Sequence, residues 1–121
     1  MNYNTLIQKI ISDNKDILVI RTARTSFANI TYKIIGLEDV FYDNPDAEGC
    51  FTLLHELGHI RNNKPEMKRC EEEYYATIWA IQAMKRYGFK ISNEVKEIYQ
   101  KYIYSLRRKN GLSRQQLTLV W

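Results

Sequence analysis

Histidine, cysteine and proline each occur only twice in this chain, and glycine five times. Two cysteines, Cys50 and Cys70, are too few for the disulfide framework of a small secreted domain. Both are therefore expected as reduced, buried thiols. So little proline and glycine excludes collagen-like and low-complexity architectures. No apolar run approaches the roughly 18 residues of a membrane-spanning helix, so no membrane partner is expected. The opening stretch MNYNTLIQKIISDNKD has no basic region ahead of an apolar core and no small-residue cleavage site. A secretory leader is thus not expected, and the cytoplasm is the expected location.

What is present describes an ordinary globular chain, with 45% hydrophobic and 26% charged residues. Its 121 residues suit one domain spanning 1–121 with one core. The net charge of +4 is unevenly spread. Residues 1–60 hold 5 basic and 8 acidic groups (net −3), and residues 61–121 hold 13 and 6 (net +7). Such a skew can steer nucleic acid or an acidic partner. A solvated helix face explains it as simply, and nucleic acid is not the expected partner.

Periodicity supplies the layout. Leu6, Ile7, Ile10 and Ile11 predict a short helix closed by Asp13-Asn14-Lys15-Asp16. Ile17–Ile20 and the alternation of Ile30, Tyr32 and Ile34 predict two strands, with Val40–Tyr42 a candidate third. Asn44 and Pro45 carry helix-start chemistry, predicting a helix that runs to Arg61. A further helix is expected from Met67 to Tyr87, closed by Gly88. Another is expected from Ser92 to Asn110-Gly111, with an apolar stripe of Val95, Ile98, Tyr99, Tyr102, Ile103 and Leu106 assigned to the core. The last segment reads two ways, as a helical turn capped by Ser113 and Gln116 or as an edge strand over 117–121. A few strands followed by helices make an α+β layout.

The scarce histidines stand four residues apart in the stretch CFTLLHELGHIR, residues 50–61. On a helix, residues i and i+4 share a face with Cβ atoms roughly 5–6 Å apart, so His55 and His59 can aim at one ion. Glu56 lies about 100° around the helix from His55, beside a metal without having to bind it. This is the H-E-x-x-H pattern, in which zinc brings its bound water to a pKa of roughly 7 and the glutamate acts as general base. A catalytic zinc site usually has three protein ligands. No third histidine exists, so a carboxylate is required, and Glu71-Glu72-Glu73 at the head of the next helix is the source. The oxyanion of peptide hydrolysis also needs a donor, which falls to a tyrosine or an arginine that the sequence does not single out.

The HELGH helix, preceded by Phe41-Tyr-Asp-Asn-Pro45 and followed by E-x-x-A-x-x-W-A from Glu73 to Ala80, resembles the ImmA/IrrE family of small zinc metallopeptidases. These are gluzincin-type HExxH proteins of phages and mobile elements, and the resemblance covers roughly residues 30–84. It implies a compact zincin-like domain, with a small sheet over the active-site helix and a glutamate from the next helix as third ligand. It also implies a specific repressor or regulator protein as substrate. The E-x-x-A spacing lands on Glu73. Helical geometry agrees, because steps of three and seven from Glu73 reach Ala76 and Ala80, small residues that let a helix approach Gly58. The leading expectation is a Zn2+-dependent endopeptidase in which His55, His59 and Glu73 hold the metal and Glu56 activates water. The alternative is a non-enzymatic zincin-scaffold regulator that binds a protein or DNA and keeps a structural metal. An intact Glu56 speaks against that alternative, since a structural site needs no base.

Overall fold

The computed structural model describes residues 1–111 and 118–121. Among them, five helices and three strands follow in the order α1 (Tyr3–Asp13), β1 (Leu18–Thr22), β2 (Phe27–Asn29), β3 (Ile34–Glu38), α2 (Asp39–Asp43), α3 (Ala47–Arg61), α4 (Arg69–Arg86) and α5 (Asn93–Lys109). The layout is the expected α+β one. No helix among the described residues is long and apolar enough to cross a membrane.

Helix α1 starts where the Asn2 side chain accepts from the Thr5 N–H at 2.9 Å, and it buries Leu6, Ile7 and Ile10. The sheet is mixed, in the order β1-β3-β2. Strand β1 runs parallel to β3 with Leu18 opposite Ile34, and β2 runs antiparallel to β3 with Phe27 opposite Gly36. The Phe27 ring lies directly over Gly36, where any side chain would collide with it. The inward residues of β3, Ile35 and Leu37, are buried and carry the sheet onto the helices.

Three local expectations are corrected. The alternation over Ile30, Tyr32 and Ile34 is not one strand. The Asn29 side chain accepts from the Tyr32 N–H at 2.9 Å, and Lys33 takes a left-handed φ of 54°, so the chain reverses between β2 and β3. Val40–Tyr42 lies in α2 rather than in a strand; Phe41 alone of the three turns inward. The helix start expected at Asn44 belongs two residues later. Asn44 closes α2, and Asp46 caps α3 by accepting from the Gly49 N–H at 2.7 Å. Ser113, Gln116 and Leu117 lie outside the described residues. Residues 118–121 form no strand, and Leu119 and Trp121 rest against the core.

Helix α3 is the centre of the molecule. Ten consecutive residues, Gly49–Gly58, are buried, which is the signature of a helix enclosed on every side rather than of an amphipathic surface helix. It packs against α1, α2, α4, α5, β2 and β3. Phe51, Leu53, Leu54 and Leu57 fill the space between them. Both cysteines are free and buried.

Candidate metal centre

Placing two imidazoles on an enclosed helix forces them to find partners inside the protein. His55 is 4% exposed, and its ring stands nearly perpendicular to that of His59, at 87° with centroids 4.9 Å apart. Both Nε2 atoms point at one carboxylate oxygen. Glu73 Oε2 lies 2.8 Å from His55 Nε2 and 3.0 Å from His59 Nε2. The three candidate ligand atoms fall within 4.8 Å of one another, so the structure brings together His55, His59 and Glu73 as the sequence reading paired them.

The close approach of α4 to α3 makes this convergence possible. A Cβ built on Gly58 would lie 2.7 Å from the Ala76 carbonyl oxygen and 2.9 Å from its Cα. Only glycine lets the two backbones meet there. Ala76 sits one turn after Glu73, so the contact sets the height of Glu73 against the two histidines. The neighbouring glutamates face elsewhere. Glu71 accepts from the Lys68 N–H at 3.3 Å at the start of α4, and Glu72 borders a small crevice beside His59 and Met67. Cys70 belongs to a separate apolar cluster with Ile103 and Leu106.

Charge in the cluster follows from burial and contact. Burial disfavours an ionised Glu73, but the bonds from His55 and His59 outweigh it and hold the carboxyl well below its usual range. Burial dominates at His55 and lowers its pKa. At His59 burial works the same way, yet the bond to Glu73 and the charges of Glu73, Glu56 and Glu72 raise the pKa. His59 and Glu73 thus shift in opposite directions, each favouring the charged form of the other. Two imidazole nitrogens and a carboxylate oxygen converging on one point are a donor set suited to zinc and related divalent ions, and the residues fit such an ion.

Glu56 stands beside this cluster without joining it. It is 8% exposed, and burial, only partly offset by His59, pushes its carboxyl up to about 7. No described residue gives it a hydrogen bond or ion pair. A buried carboxylate without a partner costs free energy, and such groups gather where chemistry uses them. Glu56, His55 and Glu73 open onto a cavity of about 380 Å³ that is also bordered by Arg69, Tyr99 and Tyr102. No family model, curated protein or solved structure matches this chain.

Three residues of the site did not stand out in the sequence. Tyr99 and Tyr102 lie on the α5 stripe assigned to the core. Tyr99 does pack there, 8% exposed, with its hydroxyl 3.4 Å from Thr52 Oγ1 and its ring 5.2 Å from that of His55. Tyr102 borders the same cavity, where its hydroxyl interacts with Arg69 and Glu73. Thr77 is fully buried, with Oγ1 3.1 Å from His55 Nδ1 and donating to the Glu73 main-chain oxygen at 2.8 Å. Its position four residues after Glu73, on the same helix face, was the available signal.

Proposed function

We propose that this protein is a zinc-dependent endopeptidase with a zincin-like plan, similar to the ImmA/IrrE metallopeptidases, that cleaves a specific regulator or repressor protein. The observation that carries this reading is the buried, unpaired Glu56 next to a three-ligand cluster. A structural metal site gains nothing from such a carboxylate, whereas hydrolysis requires one.

His55 Nε2, His59 Nε2 and a Glu73 oxygen would hold the ion. When bound, zinc supplies a Lewis acid for the scissile carbonyl and acidifies the attacking water. Glu56 takes the proton from that water as the new C–O bond forms, and it delivers the proton to the amine nitrogen as the C–N bond breaks. Among the described tyrosines and arginines, those bordering the cavity are Tyr99, Tyr102 and Arg69. The Tyr99 hydroxyl is buried beside Thr52, whereas the Tyr102 hydroxyl and Arg69 meet next to Glu73 at the metal cluster. Tyr102 and Arg69 are therefore the donors assigned to the oxyanion.

The deciding experiment combines metal analysis of the purified protein with mapping of new N-termini in a lysate treated with wild type or with Glu56→Gln. One zinc per chain and cleavage of a few proteins by wild type alone are expected. Absence of stoichiometric metal would end the enzyme reading. Zinc without any new N-terminus would favour a regulatory scaffold. Rapid unselective digestion of casein would sink the assignment of a specific substrate.

A further inference from the structure

A histidine that binds metal through Nε2 must carry its proton on Nδ1, and a buried Nδ1–H needs an acceptor. At His55 the group in reach is the Thr77 hydroxyl, 3.1 Å away, and both residues are buried, at 4% and 0% exposure. A hydroxyl has one hydrogen to give. That of Thr77 goes to the Glu73 main-chain oxygen at 2.8 Å, which as a carbonyl can only accept. The lone pairs of Thr77 Oγ1 are left to receive Nδ1–H, which leaves Nε2 without a proton and free to bind an ion beside the Glu73 carboxylate.

We infer that Thr77 is a positioning residue that selects the metal-binding tautomer of His55. The inference rests on the reading of His55, His59 and Glu73 as a metal site. The same hydroxyl also joins the two helices, because it holds a ligand from α3 while bonded to the backbone of the ligand on α4. Without an ion, the ring proton can sit on Nε2 and bond Glu73, and the hydroxyl then turns its hydrogen toward Nδ1. The Glu73 carbonyl loses little by this, since it keeps its ordinary bond within α4. Thr77 therefore partners Nδ1 in both states, but only the metal-bound one requires its oxygen to accept.

The test is zinc affinity, measured by competition with a chromophoric chelator, for wild type, Thr77→Val and Thr77→Ser. Valine keeps the shape and removes the acceptor, and it should weaken zinc about 10–100-fold, the usual effect of losing such a partner. Serine restores the oxygen and should restore the affinity, while the metal-free valine variant, which loses one buried hydrogen bond to Nδ1, should melt somewhat below the other two yet remain folded. In nitrogen-15 spectra of the zinc-loaded wild type, His55 should show a protonated Nδ1. Equal zinc affinity of Thr77→Val and wild type would overturn the inference, and so would a serine variant as weak as valine or a His55 ring bare at Nδ1. A wild-type chain that holds no zinc would instead overturn the metal reading, and this inference with it.

Discussion

Helix α3 bears two clusters of charge, one in its enclosed middle and one at its exposed end, and they differ in what they do. At the end, Arg61 grips Asp16 with two bonds of 2.7 and 2.8 Å and reaches Asn14 at 2.9 Å. This contact ties the last turn of α3 to the connection between α1 and β1. Asp16 is still 46% exposed, and ion pairs so close to water contribute little. In the middle, the bonds between Glu73 and the histidines are of similar length but surrounded by protein, where removing charge from water is expensive. The exposed contact is satisfied as it stands. The buried one favours a cation beside Glu73, whether a proton on a histidine or, under the proposed function, a metal ion. Bond length does not separate the two clusters; dielectric surroundings do.

The sharpest way to break this contrast is to remove the buried carboxylate. Glu73→Ala should weaken zinc binding by at least about tenfold through loss of one of three ligands and abolish hydrolysis, whereas Glu71→Ala and Glu72→Ala should retain the metal. Equilibrium dialysis decides this, and loss of zinc in Glu72→Ala alone would mean that the active carboxylate has been assigned to the wrong residue. Next in size, Glu56→Gln should keep the metal and the fold while lowering turnover by about 10²–10⁴-fold, the usual contribution of a general base. Parallel zinc titration and peptide-bond cleavage assays separate the two effects; loss of metal in this variant would contradict the assignment.

The third test acts on the spacing of the helices rather than on charge. Gly58→Ala pushes a methyl group into the Ala76 backbone and should destabilise the chain by about 1–3 kcal/mol, as overpacking does. Denaturant unfolding would show it, and an unchanged midpoint would mean that α4 is free to retreat. The smallest effect is expected at the exposed end. The Arg61 bond holds the Asp16 carboxyl well below its ordinary 3.8, so its stabilisation is present above that value and is lost as pH falls through the lowered one. Asp16→Asn should therefore lower the midpoint slightly at neutral pH, and the gap from wild type should close in strong acid. A gap that persists there would point to packing rather than charge.

Much of this arrangement can be read in the chain because helices impose a fixed spacing. His55, Glu56 and His59 share one helix, so their relation is local. Glu73 followed from a second local pattern, its distance from Ala76 and Ala80. What could not be read depends on contacts between distant elements. Tyr99 and Tyr102 sit on one apolar stripe, and only the packing of α5 against α3 and α4 brings both to the cavity, the first buried and the second beside Arg69 and Glu73. The sheet was harder still. Side-chain alternation at Ile30, Tyr32 and Ile34 mimics a strand, while the reversal is made by the Asn29 side chain and the backbone of Lys33. Val40 and Tyr42 have strand chemistry and yet lie on α2, exposed, because only Phe41 has apolar surface to meet.

The enclosure of Gly49–Gly58 also governs how the protein opens. A surface helix can fray and admit solvent one turn at a time, but a helix covered on every side has no such local route. Its amide hydrogens exchange with water only when the chain unfolds as a whole. Two of the three candidate ligands sit on or next to that stretch, so an ion that bound them would bind only the folded chain and would stabilise it against unfolding. The part of the molecule expected to open last is then also the part that carries the candidate ligands.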